Sequence, residues 1–354
     1  MILQRARFLK SSRMISTLVG SSGQVYKPIC VMHNNPNESP EFSIYLASGN
    51  NNNAAFVLKP VHSSIFEQSQ ELKQEFGKVP QIRHHADEDE GQNILVYKFA
   101  ISNLLEMIND CPPLPLQARK TILKEVGLAL ENMHARNWIH LDVKPDNVFI
   151  DWTVNMENKF CLQKVQLGDL DCALKLIGSH LLNHKIGNVM WQSPEGLLGR
   201  GMGKHSEVFS FGLLCLFVLT GVESYHPDFK NLTIEPEQVI LHKLLSNFEP
   251  LPDALVKHVD DEKGCELLKD LWTLIEEDDE KRAEGYEPFE QWTEIDYPNL
   301  NDNAKRLILR MTNLDLGKRA EMADIMTDPY WDGAGSRGIF DTEECFTNEA
   351  KSVS

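Results

Sequence analysis

Alternating apolar and polar positions mark the first third of the chain. Residues 14–32 predict strand, Met14 to Val19 and Val25 to Met32, around a Gly-Ser turn. His33 to Pro40 is rich in Asn and Pro and predicts a loop. Glu41 to Ala47 predicts a short strand, Gly49 to Asn53 a turn, and Ala54 to Val61 a third strand. A helix should follow. Ser64-Ile65-Phe66-Glu67 has the spacing of a capping box, and Ile65, Phe66, Leu72 and Phe76 supply its apolar positions. Ile94 to Phe99 predicts one more strand.

Further along, the period becomes helical. Ile122, Val126, Ala129, Leu130 and Met133 mark one face of a helix over Leu116 to Arg136. Phe209 to Thr220 is apolar all round, as a central core helix should be. Glu237 to Leu245, Glu266 to Glu276 and Asn303 to Thr312 predict further helices. Strands followed by helices imply an α+β fold with two lobes, a small β-rich one over 14–100 and a larger helical one over 101–331. They would join near Lys98 to Ser102. Residues 1–13 form an extension, and the polar, Gly/Ser-rich stretch 332–354 predicts a flexible tail.

Composition narrows the function. The chain has 354 residues, enough for a two-lobed enzyme. A formal charge of −17 repels phosphate backbones, so nucleic acid is not an expected partner. Acidic residues are dense between Asp260 and Asp296, which reads as a solvated face, with docking of basic partners as the alternative. The seven cysteines are scattered and none forms a Cys-x-x-Cys pair, which fits a reducing, intracellular compartment. The longest apolar run, Phe209 to Leu219, is too short to span a bilayer, so no membrane partner is expected. Arg5, Arg7, Lys10 and Arg13, with no acid before Glu38, have the character of a mitochondrial transit peptide. Glycine-turn signals beginning near Leu18, so that cleavage would cut close to the first strand, favour a cytoplasmic or nuclear protein instead.

Several motifs fall in one order along the chain. His140-Leu141-Asp142 is followed by Lys144-Pro145 and Asn147. Leu167-Gly168-Asp169-Leu170-Asp171 comes next, and Phe56-Val57-Leu58-Lys59 and Gly20-Ser21-Ser22-Gly23-Gln24-Val25 precede them. Ser193-Pro194-Glu195, Glu207-Val208-Phe209-Ser210-Phe211-Gly212, Lys318-Arg319-Ala320 and Asp328-Pro329-Tyr330-Trp331 complete the series. Over roughly residues 14–331 the chain resembles the eukaryotic protein kinase family, serine/threonine type. More narrowly, it is similar to divergent kinase-domain proteins of filamentous fungi.

The resemblance implies an ATP- and Mg2+-dependent transfer of the γ-phosphate to a protein hydroxyl. Asp142 would orient the attacking hydroxyl and accept its proton, and Lys144 would neutralise the moving phosphate. Asn147 and Asp169 would hold magnesium. Lys59 would contact the α- and β-phosphates and pair with a helix glutamate, Glu71 in preference to Glu67. Gly20 and Gly23 would approach the phosphates, Val25 would cover the base, and Phe99 and Ala100 would line its edge. Glu195 should pair with Arg319, and Glu207 should anchor the catalytic loop.

The departures carry information too. Leu141 stands where many kinases keep an arginine that grips an activation-loop phosphate. Asp171 replaces a glycine, which implies a restricted flip of that segment. Asn188 stands in place of a threonine and should still hydrogen-bond near Asp142. The first glycine of the phosphate loop falls on Leu18. These changes leave a second expectation open, a catalytically impaired pseudokinase that binds ATP or serves as a scaffold. A kinase for small-molecule hydroxyls fits less well, given the Ser-Pro-Glu segment and the long helical second lobe.

Overall fold

The computed structural model describes residues 16–33, 39–50, 54–110, 114–157, 159–277, 287–335 and 338–340. The small lobe is one curled antiparallel sheet of β1 (Leu18–Val19), β2 (Val25–His33), β3 (Ile44–Gly49), β4 (Ala55–Pro60), β5 (Asp87–Asp89) and β6 (Ile94–Lys98). Their spatial order is β1-β2-β3-β4-β6-β5. Period-two alternation decides its two faces. Leu18, Tyr26, Val31, Tyr45, Ala47, Phe56, Leu58, Ile94 and Val96 fill the concave side. Val57 and Lys59 therefore point the other way, toward the cleft. The helix α1 (Ser63–Phe76) packs Phe66 against Val61 and Leu95, while its Leu72 and Phe76 join the large core.

The helix begins one residue before the expected capping box. His62 is its N-cap and makes no side-chain capping bond, so Ser64 lies inside the first turn. The strand expected from Glu41 starts at Ile44, because Pro40–Phe42 forms a short 3-10 turn. Met14, Ile15 and the 1–13 extension lie outside the described residues.

The larger lobe is helical around a second core. Among the described residues its helices are α2 (Leu104–Asp110), α3 (Leu116–Ala135), α4 (Pro194–Leu198), α5 (Lys204–Thr220), α6 (Pro236–Asn247), α7 (Asp253–Val259), α8 (Glu262–Glu277), α9 (Asp302–Met311) and α10 (Met322–Met326). The all-apolar α5 is buried along nearly its whole length, as its sequence predicts.

The helical reading missed a sheet. Beneath the cleft, β7 (Ser102–Asn103), β9 (Val148–Val154), β10 (Phe160–Leu167) and β12 (Gly338–Phe340) pair in the order β12-β10-β9-β7. The short β8 (Trp138–Ile139) and β11 (Leu174–Lys175) pair with each other. The tail is thus not loose throughout. Phe340 pairs with Phe160 in register, and their rings approach to 6.3 Å between centroids.

Candidate active site

The turn between the short strand β8 and β9 carries His140 to Asn147. It is held from below by Glu207, on buried α5. Its Oε1 accepts from His140 N at 2.6 Å and from Leu141 N at 2.9 Å, and its Oε2 meets His134 Nε2 at 2.8 Å. The extra methylene of Glu207, relative to the family's aspartate, still reaches both amides. Burial raises its pKa, but the His134 bond outweighs this and holds it below the usual carboxylate value. His140 is fully buried, and its Nε2 meets Gly168 O at 3.0 Å, joining this loop to the Asp169 segment.

Asp142 is the hub. Its Oδ2 accepts from Lys144 Nζ at 2.8 Å and from Asn147 Nδ2 at 2.9 Å, and its Oδ1 accepts from Asn188 N at 3.0 Å. Burial opposes the charge on Lys144, but Asp142 more than compensates and raises its pKa. The side chain of Asn188 does not meet Asp142. Its oxygen accepts from Met190 N, so only the backbone serves the site. Gly187, at φ +92°, packs against the Leu141 carbonyl, where any Cβ would collide. That close approach seats the activation segment on the catalytic loop.

Across the cleft, Lys59 Nζ lies 2.5 Å from Asp169 Oδ1 and 2.8 Å from Asp171 Oδ2. Burial disfavours its charge, but the two carboxylates prevail and raise its pKa. For Asp169, burial is likewise outweighed by Lys59, and its pKa falls. Leu170 is buried in the large core, as expected of the apolar member of this motif.

The helix glutamate is not where the sequence suggested. Glu67 and Glu71 are both exposed, and Glu71 lies 3.7 Å from Lys175. Gln68 faces inward instead. Its Nε2 donates to Ala173 O at 2.6 Å and to Leu170 O at 3.3 Å. The helix therefore grips the Asp169–Ala173 backbone, and the counter-charges of Lys59 come from Asp169 and Asp171. Asp171, which looked like a mere substitution for glycine, takes the place expected for the helix glutamate.

Gly20, Gly23 and Val25 also lie elsewhere. Tyr26 faces Gly49 and Val25 O accepts from Asn50 N, which puts this turn beside the start of β4. Lys59 is four residues further on, about 13 Å along the strand. All four turn amides are committed: Gly20 N to Gln24 O, Ser21 N to Glu88 O, Ser22 N to Asp87 Oδ1 and Gly23 N to Gly20 O. None points at a phosphate, and the Asp87 carboxylate would repel one. The turn closes the seam of the curled sheet.

The connection that shares an end with Lys59 is the one from β2 to β3. Ile44 faces His33, and Tyr45 faces Leu58, so Ile44 comes level with Lys59. The Phe42 and His62 rings lie 4.1 Å apart. Ser39–Ser43 holds no glycine. Pro40 has no N–H, and Phe42 N and Ser43 N bond back to Ser39 O and Pro40 O. Leu46, opposite Val57 and buried, takes the covering position that Val25 does not.

Phe99 and Ala100 follow β6 at the lobe junction. Phe99 N donates to Ala55 O at 3.1 Å, and Ile101 N donates to Asp151 Oδ1 at 3.1 Å. The junction is pinned to both lobes.

A charged arginine side chain would not be needed to order the activation segment here. Leu176 N bonds Asn137 O, Leu182 and Met202 exchange both backbone bonds, and Lys185 pairs with Glu237 at 3.1 Å. Gln192 Nε2 holds Ile186 O at 2.5 Å. Ser179, the one hydroxyl between Cys172 and Ile186, is exposed. Ser179→Ala should retain activity within about twofold of wild type, measured as ADP release, because Leu141 offers no charge to grip a phosphate. A tenfold loss would reverse that view.

A family model described as the protein kinase domain matches residues 81–331, most of the chain. The chain belongs to the protein kinase domain family. Its kinase domain is 29% identical over 149 residues to a probable serine/threonine-protein kinase of Dictyostelium discoideum, covering 38% of this chain and 32% of that one. It is 29% identical over 156 residues to serine/threonine-protein kinase AfsK of Streptomyces coelicolor, covering 43% and 18%. The mitogen-activated protein kinase kinase kinase ANP1 of Arabidopsis thaliana is 26% identical over 171 residues, covering 48% and 24%. The matched stretch thus spans a third or less of these relatives' length. The kinase fold is shown further by the structure of the yeast RNA Pol II CTD kinase CTDK-1 complex. A chain of it matches with a TM-score of 0.63 and 15% identity, over 91% of this chain and 95% of its own.

Proposed function

We propose that this kinase domain transfers the γ-phosphate of Mg-ATP to a serine or threonine hydroxyl of a protein. The observation that carries this reading is the junction of Asp142, Lys144, Asn147 and Asp169 on the large-lobe side of the cleft with Lys59 on the other. In it, Asp142 orients the hydroxyl and receives its proton, and Lys144 balances charge on the moving phosphate. Lys59 holds the phosphates behind it.

The donor set suits magnesium. Asp169 is partly exposed, and Asn147 commits its amide nitrogen to Asp142, so its side-chain oxygen is the atom it can offer. Among the described residues there is no cage of three or more His, Cys, Asp or Glu. Magnesium is typically bound by one or two protein groups plus substrate phosphates. Held by Asp169 and Asn147, it would supply charge neutralisation at the phosphates.

A second reading, an impaired kinase acting as an ATP-binding or scaffold protein, is favoured by one observation. The connection over Lys59 has no glycine and turns two of its amides inward. The enzyme reading still leads, supported by the contacts of Asp142 with Lys144 and Asn147 and of Lys59 with Asp169. Intracellular residence fits the scattered thiols, and a likeness to filamentous-fungal kinase-domain proteins rests on the motifs alone. Among the described residues no helix is long and apolar enough to cross a membrane. The test is ADP release from Mg-ATP with a generic protein substrate, together with thermal stabilisation by Mg-ATP. Release with phosphate appearing on Ser or Thr supports the enzyme. Stabilisation without release selects the second reading, and neither signal rejects both.

A further inference from the structure

Arg83 lies in the stretch between α1 and β5, outside every motif. Its backbone is fixed behind the cleft: Arg83 N donates to Leu167 O, and Leu167 N donates to Gln81 O, both at 2.8 Å. Ile82 and Leu167 form a parallel bridge there. From this root the side chain runs forward. Its guanidinium carbon lies 3.8 Å from the centroid of the Phe149 ring and 5.0 Å from that of Tyr97. Its Nη2 donates to Lys98 O at 2.9 Å.

Those partners sit at the centre of the cleft. Phe149 is two residues past Asn147, on the floor strand β9. Tyr97 faces Val57 across the sheet, on the same side as Lys59. Lys98 immediately precedes Phe99 and Ala100. A Cβ on Gly168 would come within 3.0 Å of Arg83 Cβ and Cδ and of Phe149 Cδ2. Glycine next to Asp169 thus makes room for this arginine. Burial pulls the Arg83 pKa down to about 10, in keeping with a cation drawn out of water.

A purine base needs a flat aromatic or apolar face and a peptide carbonyl at its edge to accept from an amino group. Phe149 and Lys98 O offer both, and the planar guanidinium already uses both. We propose that Arg83 occupies the base subsite of the nucleotide cleft, and that a nucleoside triphosphate seats its base only by displacing that guanidinium. Arg83 is then the residue that sets nucleotide affinity. The inference rests on the kinase reading, which places the nucleotide between Lys59 and the lobe junction.

Displacement costs a charge-assisted hydrogen bond and a cation–π contact, so removing Arg83 should tighten ATP by about 10- to 100-fold. The experiment is isothermal titration of the full chain, wild type and Arg83→Ala, with ATP and separately with inorganic tripolyphosphate, each with magnesium. ATP should bind Arg83→Ala about 10- to 100-fold more tightly, while tripolyphosphate binds it no more tightly than wild type. Arg83→Lys keeps the stem and charge but not the planar fork; it guards against a folding defect and should fall between the two. Equal or weaker ATP binding in both variants would overturn the inference and leave the kinase reading standing. Equal tightening of ATP and tripolyphosphate would also overturn it, since the base would then not matter. Failure of every form to bind ATP would remove the kinase reading and the inference together.

Discussion

Asp142→Asn should lower the proposed phosphoryl transfer by about 100- to 10,000-fold, the usual range for losing a general base. The change is nearly isosteric, so the fold should persist. Asn188 N can still donate to the remaining oxygen at Oδ1, now 3.0 Å from it. The opposite oxygen becomes an NH2 group, and it would face two donors, Lys144 Nζ at 2.8 Å and Asn147 Nδ2 at 2.9 Å. An amide cannot take up the hydroxyl proton, and it gives Lys144 no counter-charge. The loss should therefore fall on kcat, with a drop of only a few degrees in thermal midpoint, since one or two polar contacts are weakened. ADP release and a melting curve on the same preparation measure both. Turnover equal to wild type would mean that the observed ATP consumption does not run through Asp142.

How far the sequence could lead depended on whether chemistry or placement was asked for. Asp142, Lys144 and Asn147 stand together because residues close along the chain leave little freedom in space, and Asp169 joins them because the β9–β10 hairpin returns the chain to Asn147. Glu195 and Arg319 were legible across a long separation because each belongs to a distinctive local motif. The helix glutamate failed for a geometric reason. Leu72 and Phe76 are buried, and four residues before Leu72 the same face of α1 presents Gln68, not Glu67 or Glu71. Helical spacing, rather than charge, identifies it. The phosphate loop failed because a glycine-rich turn looks alike wherever it sits. The small lobe holds an additional strand at its start, and only strand register shows that Gly20–Gly23 precedes it. Ser39–Ser43 carries no glycine to mark it as a phosphate loop. Arg83 was invisible for the opposite reason: a lone arginine between elements has meaning only once Phe149, Lys98 and Gly168 are brought around it.

The largest structural effect is expected at Arg319, whose side chain, like that of Glu195, has no exposure to solvent. Nη1 meets Glu195 Oε1 at 2.6 Å and Nη2 meets Oε2 at 3.3 Å. Nη1 also donates to His205 O at 3.0 Å and Nε to Asn313 O at 2.8 Å, and the guanidinium lies 4.9 Å from the Phe209 ring centroid. Arg319→Ala strips one carboxylate and two carbonyls of this partner while keeping them buried. Breaking a buried pair from one side costs about 3–5 kcal/mol, a large share of the roughly 5–15 kcal/mol that holds a domain folded. The charge adds a pH signature. Burial raises the Glu195 pKa, but Arg319 overrides it and brings the folded-state value below the ordinary carboxylate range. In wild type the pair thus contributes fully above the unfolded pKa and is lost as pH falls through the lower folded value. In Arg319→Ala the stranded carboxylate instead gains by protonation, so the difference from wild type should narrow from about pH 7 toward about pH 4. Urea unfolding at both pH values measures it. Replacing both partners, Glu195→Leu with Arg319→Met, should recover much of the loss, because no unpaired charge stays buried. A change below about 1 kcal/mol in the single variant at neutral pH would show that the pair is structurally idle. Activity should fall further than stability alone predicts. Glu195 lies in the first turn of α4, three residues after Gln192, which holds Ile186, and just beyond Asn188, whose amide holds Asp142. Loosening this anchor loosens the hub on which the proposed transfer depends.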